Sequence, residues 1–182
     1  MRVFKSIRAC SAMLVLGSTS AFAGVPQYGP TAEFLNVCDS GSGEQDAVDA
    51  RFMTENWDSA DSDVVEALMP DDFMTKVNSA KGYVVEIQDG GMWLALTAKG
   101  QLSTQKYNYC SVTVIDDDPD GYQQDFVHAK NLNLTQVVDI DIEKRFTASG
   151  EAGSHYIMRE IRSPDINYFT YIKIVPVVAE GN

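Results

Sequence analysis

Two apolar runs meet at Asp89-Gly90-Gly91, and this junction constrains the chain more than any other stretch. Glycine accepts the positive φ of a tight primed turn, so a D-G-G between apolar runs predicts a β-hairpin. A third run over 107–115 follows a polar loop and holds Cys110, which predicts a three-stranded meander. Side chains alternate across a strand. Met92, Leu94 and Leu96 therefore share one face, with Trp93, Ala95 and Thr97 on the other. Cys110, Val112 and Val114 share a face opposite Tyr107, Tyr109, Ser111 and Thr113. With Met92, Leu94 and Leu96 and the Cys110 face both turned to the core, Trp93, Tyr107 and Tyr109 are left outside. They form a candidate partner-binding platform of the kind exposed aromatics make.

The chain opens with the layout of an export leader. Arg2, Lys5 and Arg8 form a positive region, residues 9–17 a short apolar stretch, and Ala21-Phe22-Ala23 a cleavage signal. The apolar stretch is too short to span a bilayer. Cys10 lies at the start of that stretch, close after Arg8, rather than following it, which argues against lipidation. Cleavage after Ala23 is expected to leave 159 of the 182 residues, ample for one core and short for two. The predicted organisation is a signal peptide over 1–23, a lead-in and loop over 24–43, one domain over 44–178 and a loose tail over 179–182.

The leader takes three of the 14 basic residues and none of the 26 acids, so the processed chain has 11 against 26 and a net charge of −15. Such a surface repels nucleic acid and anionic lipid and attracts cationic proteins or peptides. No later apolar run reaches membrane-span length. Cys38 and Cys110 are the two cysteines left after cleavage, and an even count in an exported chain predicts a disulfide between them. It would close a loop of 73 residues, worth ~4 kcal/mol on chain-entropy grounds. There is no C-x-x-C pair to suggest redox chemistry.

Along the rest of the chain, residues 44–57 and 64–69 read as helices and 73–77 as a further single turn. Val48, Phe52, Met53 and Trp57 form the apolar stripe of the first helix. After the acidic turn at 116–121, residues 122–131 read as a helix, with Tyr122, Phe126 and Ala129 at helical spacing. Strands are expected over 137–146, 155–162 and 168–178, the last frayed at Pro176. The predicted fold is a single α+β domain: an antiparallel sheet of about six strands in two three-stranded meanders, with N-terminal helices and a mid-chain helix packed on one face. A barrel-like curl of the same sheet is the alternative.

Three constellations could carry chemistry. Asp116-x-Asp118-x-Asp120-Gly121 matches the first half of a calcium loop, but the twelfth position holds Val127 instead of glutamate. No cofactor is expected beyond calcium held weakly there. His128 and His155 stand outside metal-ligand spacings, and no G-x-S-x-G elbow accompanies Ser154-His155. Glu86, Asp139, Asp141 and Glu143 could supply paired carboxylates for glycoside hydrolysis, although alternation with Ile and Val is what a solvated strand face shows. The function these features predict is a periplasmic or secreted bacterial binding module, non-enzymatic, such as an inhibitor or ligand of a cationic partner. The alternatives are an envelope-directed hydrolase using acids and His155, and a structural envelope protein.

Overall fold

The computed structural model describes residues 29–40, 44–69, 73–87, 91–115, 121–164 and 167–177. The expected leader, the turn residues Asp89 and Gly90, the tail and the carboxylates of Asp116, Asp118 and Asp120 lie outside them. Helix α1 (Gly29–Phe34) runs on as a π-helical turn (Leu35–Asp39), followed by α2 (Gln45–Thr54), β1 (Asp58–Ser59) and α3 (Ser62–Ala67). Strands β2 (Lys76–Glu86), β3 (Met92–Leu102) and β4 (Gln105–Ile115) precede α4 (Tyr122–Lys130). Strands β5 (Thr135–Ile140), β6 (Glu143–Ser149), β7 (His155–Arg162) and β8 (Asn167–Pro176) complete the described chain.

The eight described strands form one antiparallel sheet, in the order β1-β2-β3-β4-β8-β7-β6-β5. This overturns the expected six strands in two meanders. The two halves are joined through β4 and β8, paired from Tyr107↔Pro176 to Ile115↔Tyr168. The single strand expected over 137–146 is a hairpin, closed by Ile140↔Glu143 around Asp141-Ile142. The residues expected to form a helical turn over 73–77 instead lead into β2, and β1 adds a short outer strand on it.

The helices do not share one face either. Phe34, Val37, Val48, Phe52, Tyr122 and Phe126, from α1, the π turn, α2 and α4, pack with Ala95, Cys110, Val112, Val114, Phe169 and Tyr171. On the opposite face, Val65 and Leu68 from α3 and its end pack with Leu96, Ala98, Tyr109, Ile157 and Ile172. The register Ala95↔Val112 puts Ala95, Trp93 and Thr97 on the Cys110 face, so Met92, Leu94 and Leu96 belong to the other. Both faces of β3 are apolar and both are covered, so alternation alone does not choose between them.

Local chemistry sets the helix limits. The Asp61 carboxylate accepts from the Val64 N–H at 3.1 Å and caps α3. Helix α4 ends at Asn131, whose left-handed φ of 52° turns the following Leu132 N–H back to the Val127 carbonyl at 3.4 Å. Cys38 and Cys110 are disulfide-bonded, with Cα atoms 5.6 Å apart. The bond fixes the π turn to the centre of the sheet. No described helix is long and apolar enough to cross a membrane.

Candidate functional site

On the α3 face, a cavity of about 270 Å³ opens between the segment holding Leu68, Met69 and Phe73 and strands β3, β4, β8 and β7. Its floor is hydroxylic. Ser111, Thr113 and Thr170 line it, and the last two share a buried hydrogen bond of 3.0 Å. Arg159 also lines it, but its guanidinium is committed to Glu143 at 3.1 Å. No histidine or carboxylate is among its described lining residues. Its volume lies just below the range of roughly 300–1,000 Å³ usual for small-molecule pockets.

A charge cluster lies on the other face, beside the disulfide. Asp39 accepts from Lys130 Nζ at 2.7 Å, from Lys173 Nζ at 2.9 Å and from the Tyr156 hydroxyl. Burial alone would raise the Asp39 carboxyl, but the hydrogen bonds from Lys130, Tyr156 and Lys173 outweigh it and hold it below its ordinary value. Burial raises the Tyr156 phenol, and its bond to the Asp39 carboxylate raises it further. Burial likewise raises the Glu143 carboxyl, but Arg145 (2.6 Å) and Arg159 (3.1 Å) on either side outweigh it and hold it low. A general acid needs a carboxyl raised toward neutrality. These two are displaced the opposite way, as anchors of ion pairs are. A third cluster ties α2 to the sheet: Asp49 accepts from Lys81 Nζ and Thr97 Oγ1, each at 2.6 Å.

The predicted site residues are dispersed. Trp93 lies half-buried on the α1 face, where a side chain at Gly29 would meet its ring. Tyr107 and Tyr109 lie on the other face, with Tyr109 buried. The platform expected of Trp93, Tyr107 and Tyr109 is therefore split by the sheet itself. His155 is exposed in a recess lined by Asn131, Leu132, Asn133, Thr135, Thr147, Ala148 and Ser149, with no carboxylate among them. Glu86 sits at the end of β2, Asp139 and Asp141 on the exposed β5–β6 hairpin, and Glu143 in its arginine pairs. No group of three or more His, Cys, Asp or Glu suited to a metal occurs among the described residues.

The Asp39 cluster was legible in part. Cys110 lies opposite Lys173 in the β4–β8 register, so a Cys38–Cys110 bond brings Asp39 to that lysine. Two residues gave no sign of their role: Tyr156, and Lys130 at the end of α4.

No protein-family model matches the chain, and neither a curated protein nor a solved structure matches it.

Proposed function

We propose that the chain is an exported, acidic, non-enzymatic binding module whose partner is a cationic protein or peptide. The observation that supports this is how its charges are disposed. Eight basic residues, Lys81, Lys99, Lys130, Lys144, Arg145, Arg159, Arg162 and Lys173, are paired onto five carboxylates, Asp39, Asp46, Asp49, Glu143 and Glu160. Positive charge is largely spent within the fold. Asp58, Asp63, Glu66, Asp139 and Asp141 are exposed and make no ion pair among the described residues. These pairs leave the net negative charge unchanged, but they hold most basic residues beside a carboxylate while the exposed acids stand outside them, and such an acidic surface accelerates encounter with a cation-rich one.

The test is an association-rate series on immobilised chain with a basic protein such as lysozyme and an acidic protein of similar size. The Debye length shrinks from ~30 Å at 0.01 M salt to ~3 Å at 1 M. Association of the basic protein should slow by about tenfold or more across that range, and the acidic protein should not bind. Equal behaviour of the two proteins, or rates indifferent to salt, would contradict the proposal.

A further inference from the structure

Strand β5 pairs only with β6 and ends the sheet. Its outer side presents a row of backbone N–H and C=O groups with no strand beside it among the described residues, which is a template for an added strand. Four large apolar side chains in the described chain are more than half exposed, and three of them, Val137, Ile140 and Ile142, belong to this one hairpin (Met53 is the fourth). Asp139 and Asp141 stand between them, exposed and outside any ion pair among the described residues. Lys144 lies opposite Asp139 in the β5–β6 register, but its ammonium is directed to Glu160 at 3.8 Å.

The other end of the sheet is finished differently. The outer edge of β2 is taken by β1 through Asp58↔Val84 and Ser59↔Tyr83, and by the Ala60 N–H on the Gly82 carbonyl at 2.9 Å. What remains of that edge holds Lys76 and Lys81 and a bulge between Val77 and Ser79. That edge is partly capped and bulged, whereas the β5 edge has no strand beside it among the described residues.

We propose that the β5 edge takes up an extended segment of the partner as a ninth strand, the segment alternating basic and aliphatic residues. The inference rests on the acidic-binder proposal and names its site. The facing of side chains suits this occupant. Ile140 shares a face with Glu143 and Val138 with Arg145, whereas Asp139 shares the opposite face with Lys144. Aliphatic residues of the added strand would meet Val138 and Ile140 on one side of the sheet. Lysines or arginines would meet Asp139 on the other. A second copy of the chain is a poor occupant, because it would bring two edges carrying Asp139 and Asp141 together. The bulge between Gln136 and Val138 also resists edge-to-edge pairing of identical strands.

The test uses the whole chain and a synthetic peptide of alternating lysine and valine. A control peptide has the same sequence with every interior backbone nitrogen methylated, which keeps charge and side chains and removes the strand's donors. Binding is followed by backbone amide NMR at low salt. The expected result is saturable binding with shifts concentrated at 135–142, and about tenfold or more weaker binding of the methylated peptide, since several hydrogen bonds are lost. Asp139→Asn with Asp141→Asn should weaken the parent peptide severalfold and flatten its salt dependence. Binding with shifts away from β5, or equal binding of both peptides, would overturn the edge site while leaving the acidic-binder proposal standing. No binding of either peptide would overturn both. A concentration-dependent dimer with the same shifts in the absence of peptide would show a second copy on the edge and overturn the assignment.

Discussion

At one end of the sheet, β2 has its outer edge occupied by β1, one face under α2 and the other under α3; at the other end, β5 has an exposed strand, exposed aliphatic side chains and exposed aspartates. The same backbone geometry is treated as a structural element in one place and left available in the other. The difference lies in what each end contributes to the core. Tyr83 of β2 is stacked on Phe52 at 4.5 Å, and Phe52 in turn lies edge-on to Trp57 at 5.0 Å. Nothing in β5 is fully buried, and the hairpin enters the core only through Phe146 and Ala148 of β6. An end that stabilises the fold is not free to accept a partner strand, and an end that accepts one contributes little to stability.

Substitutions at the two ends should separate on that basis. The largest effect is expected at the packed end. Phe52→Ala removes a fully buried ring and should lower unfolding free energy by about 3–5 kcal/mol in chemical denaturation. Next is the covalent tie between the π turn and β4. Replacing Cys38 and Cys110 together by serine should cost about 2–5 kcal/mol, with the β5–β6 hairpin no more affected than the rest. Smaller again is the acid response. Asp39 and Glu143 have carboxyls held below their ordinary values of 3.8 and 4.5. Their contribution is complete above those values and is lost as pH falls through the lower folded-state values. The denaturation midpoint should therefore drop below about pH 4, and the gap between Asp39→Asn and the parent should be wider near pH 7 than near pH 2. A gap that widens on acidification would show that the Asp39 cluster is not an ion-pair anchor. The smallest effect is expected at the bare end, where Ile140→Thr or Ile142→Thr should change stability by no more than about 0.5 kcal/mol. A loss comparable to that of Phe52→Ala would erase the contrast between the ends.

Much of the packed end was legible. Strands β2 and β3 pair through Glu86↔Met92, with the Ile87 N–H on the Gly91 carbonyl at 3.0 Å, as the expected hairpin requires, Cys38 and Cys110 are bonded, and Cys110, Val112 and Val114 are buried. The bare end was not, for a physical reason. Apolar and acidic residues alternate unbroken from Val138 to Glu143, and the turn at Asp141-Ile142 interrupts nothing. Neither residue is among those with positive φ, so the turn requires no glycine or asparagine and leaves no mark in the sequence. By contrast, the β3–β4 turn places Ser103 at φ 56°, yet a serine there reads only as a polar loop. The stripe assigned to α2 was partly misplaced as well. Val48 and Phe52 are buried, but Met53 is 59% exposed, since helix rotation is settled by the sheet beneath and not by the number of apolar residues. The Trp93, Tyr107 and Tyr109 platform failed on register, because it depended on which face of β3 meets which face of β4.

The central claim is that β5 is an open edge that a cationic strand closes. Amide hydrogen exchange, read residue by residue in the free chain and with the lysine–valine peptide, tests it directly. The account predicts slow exchange in β4 and β8, fast exchange of the outward amides of β5 in the free chain, and slowing of those β5 amides by about tenfold or more when the peptide is present. β5 amides as protected as those of β4 before any peptide is added, or unchanged by it at saturation, would contradict the account.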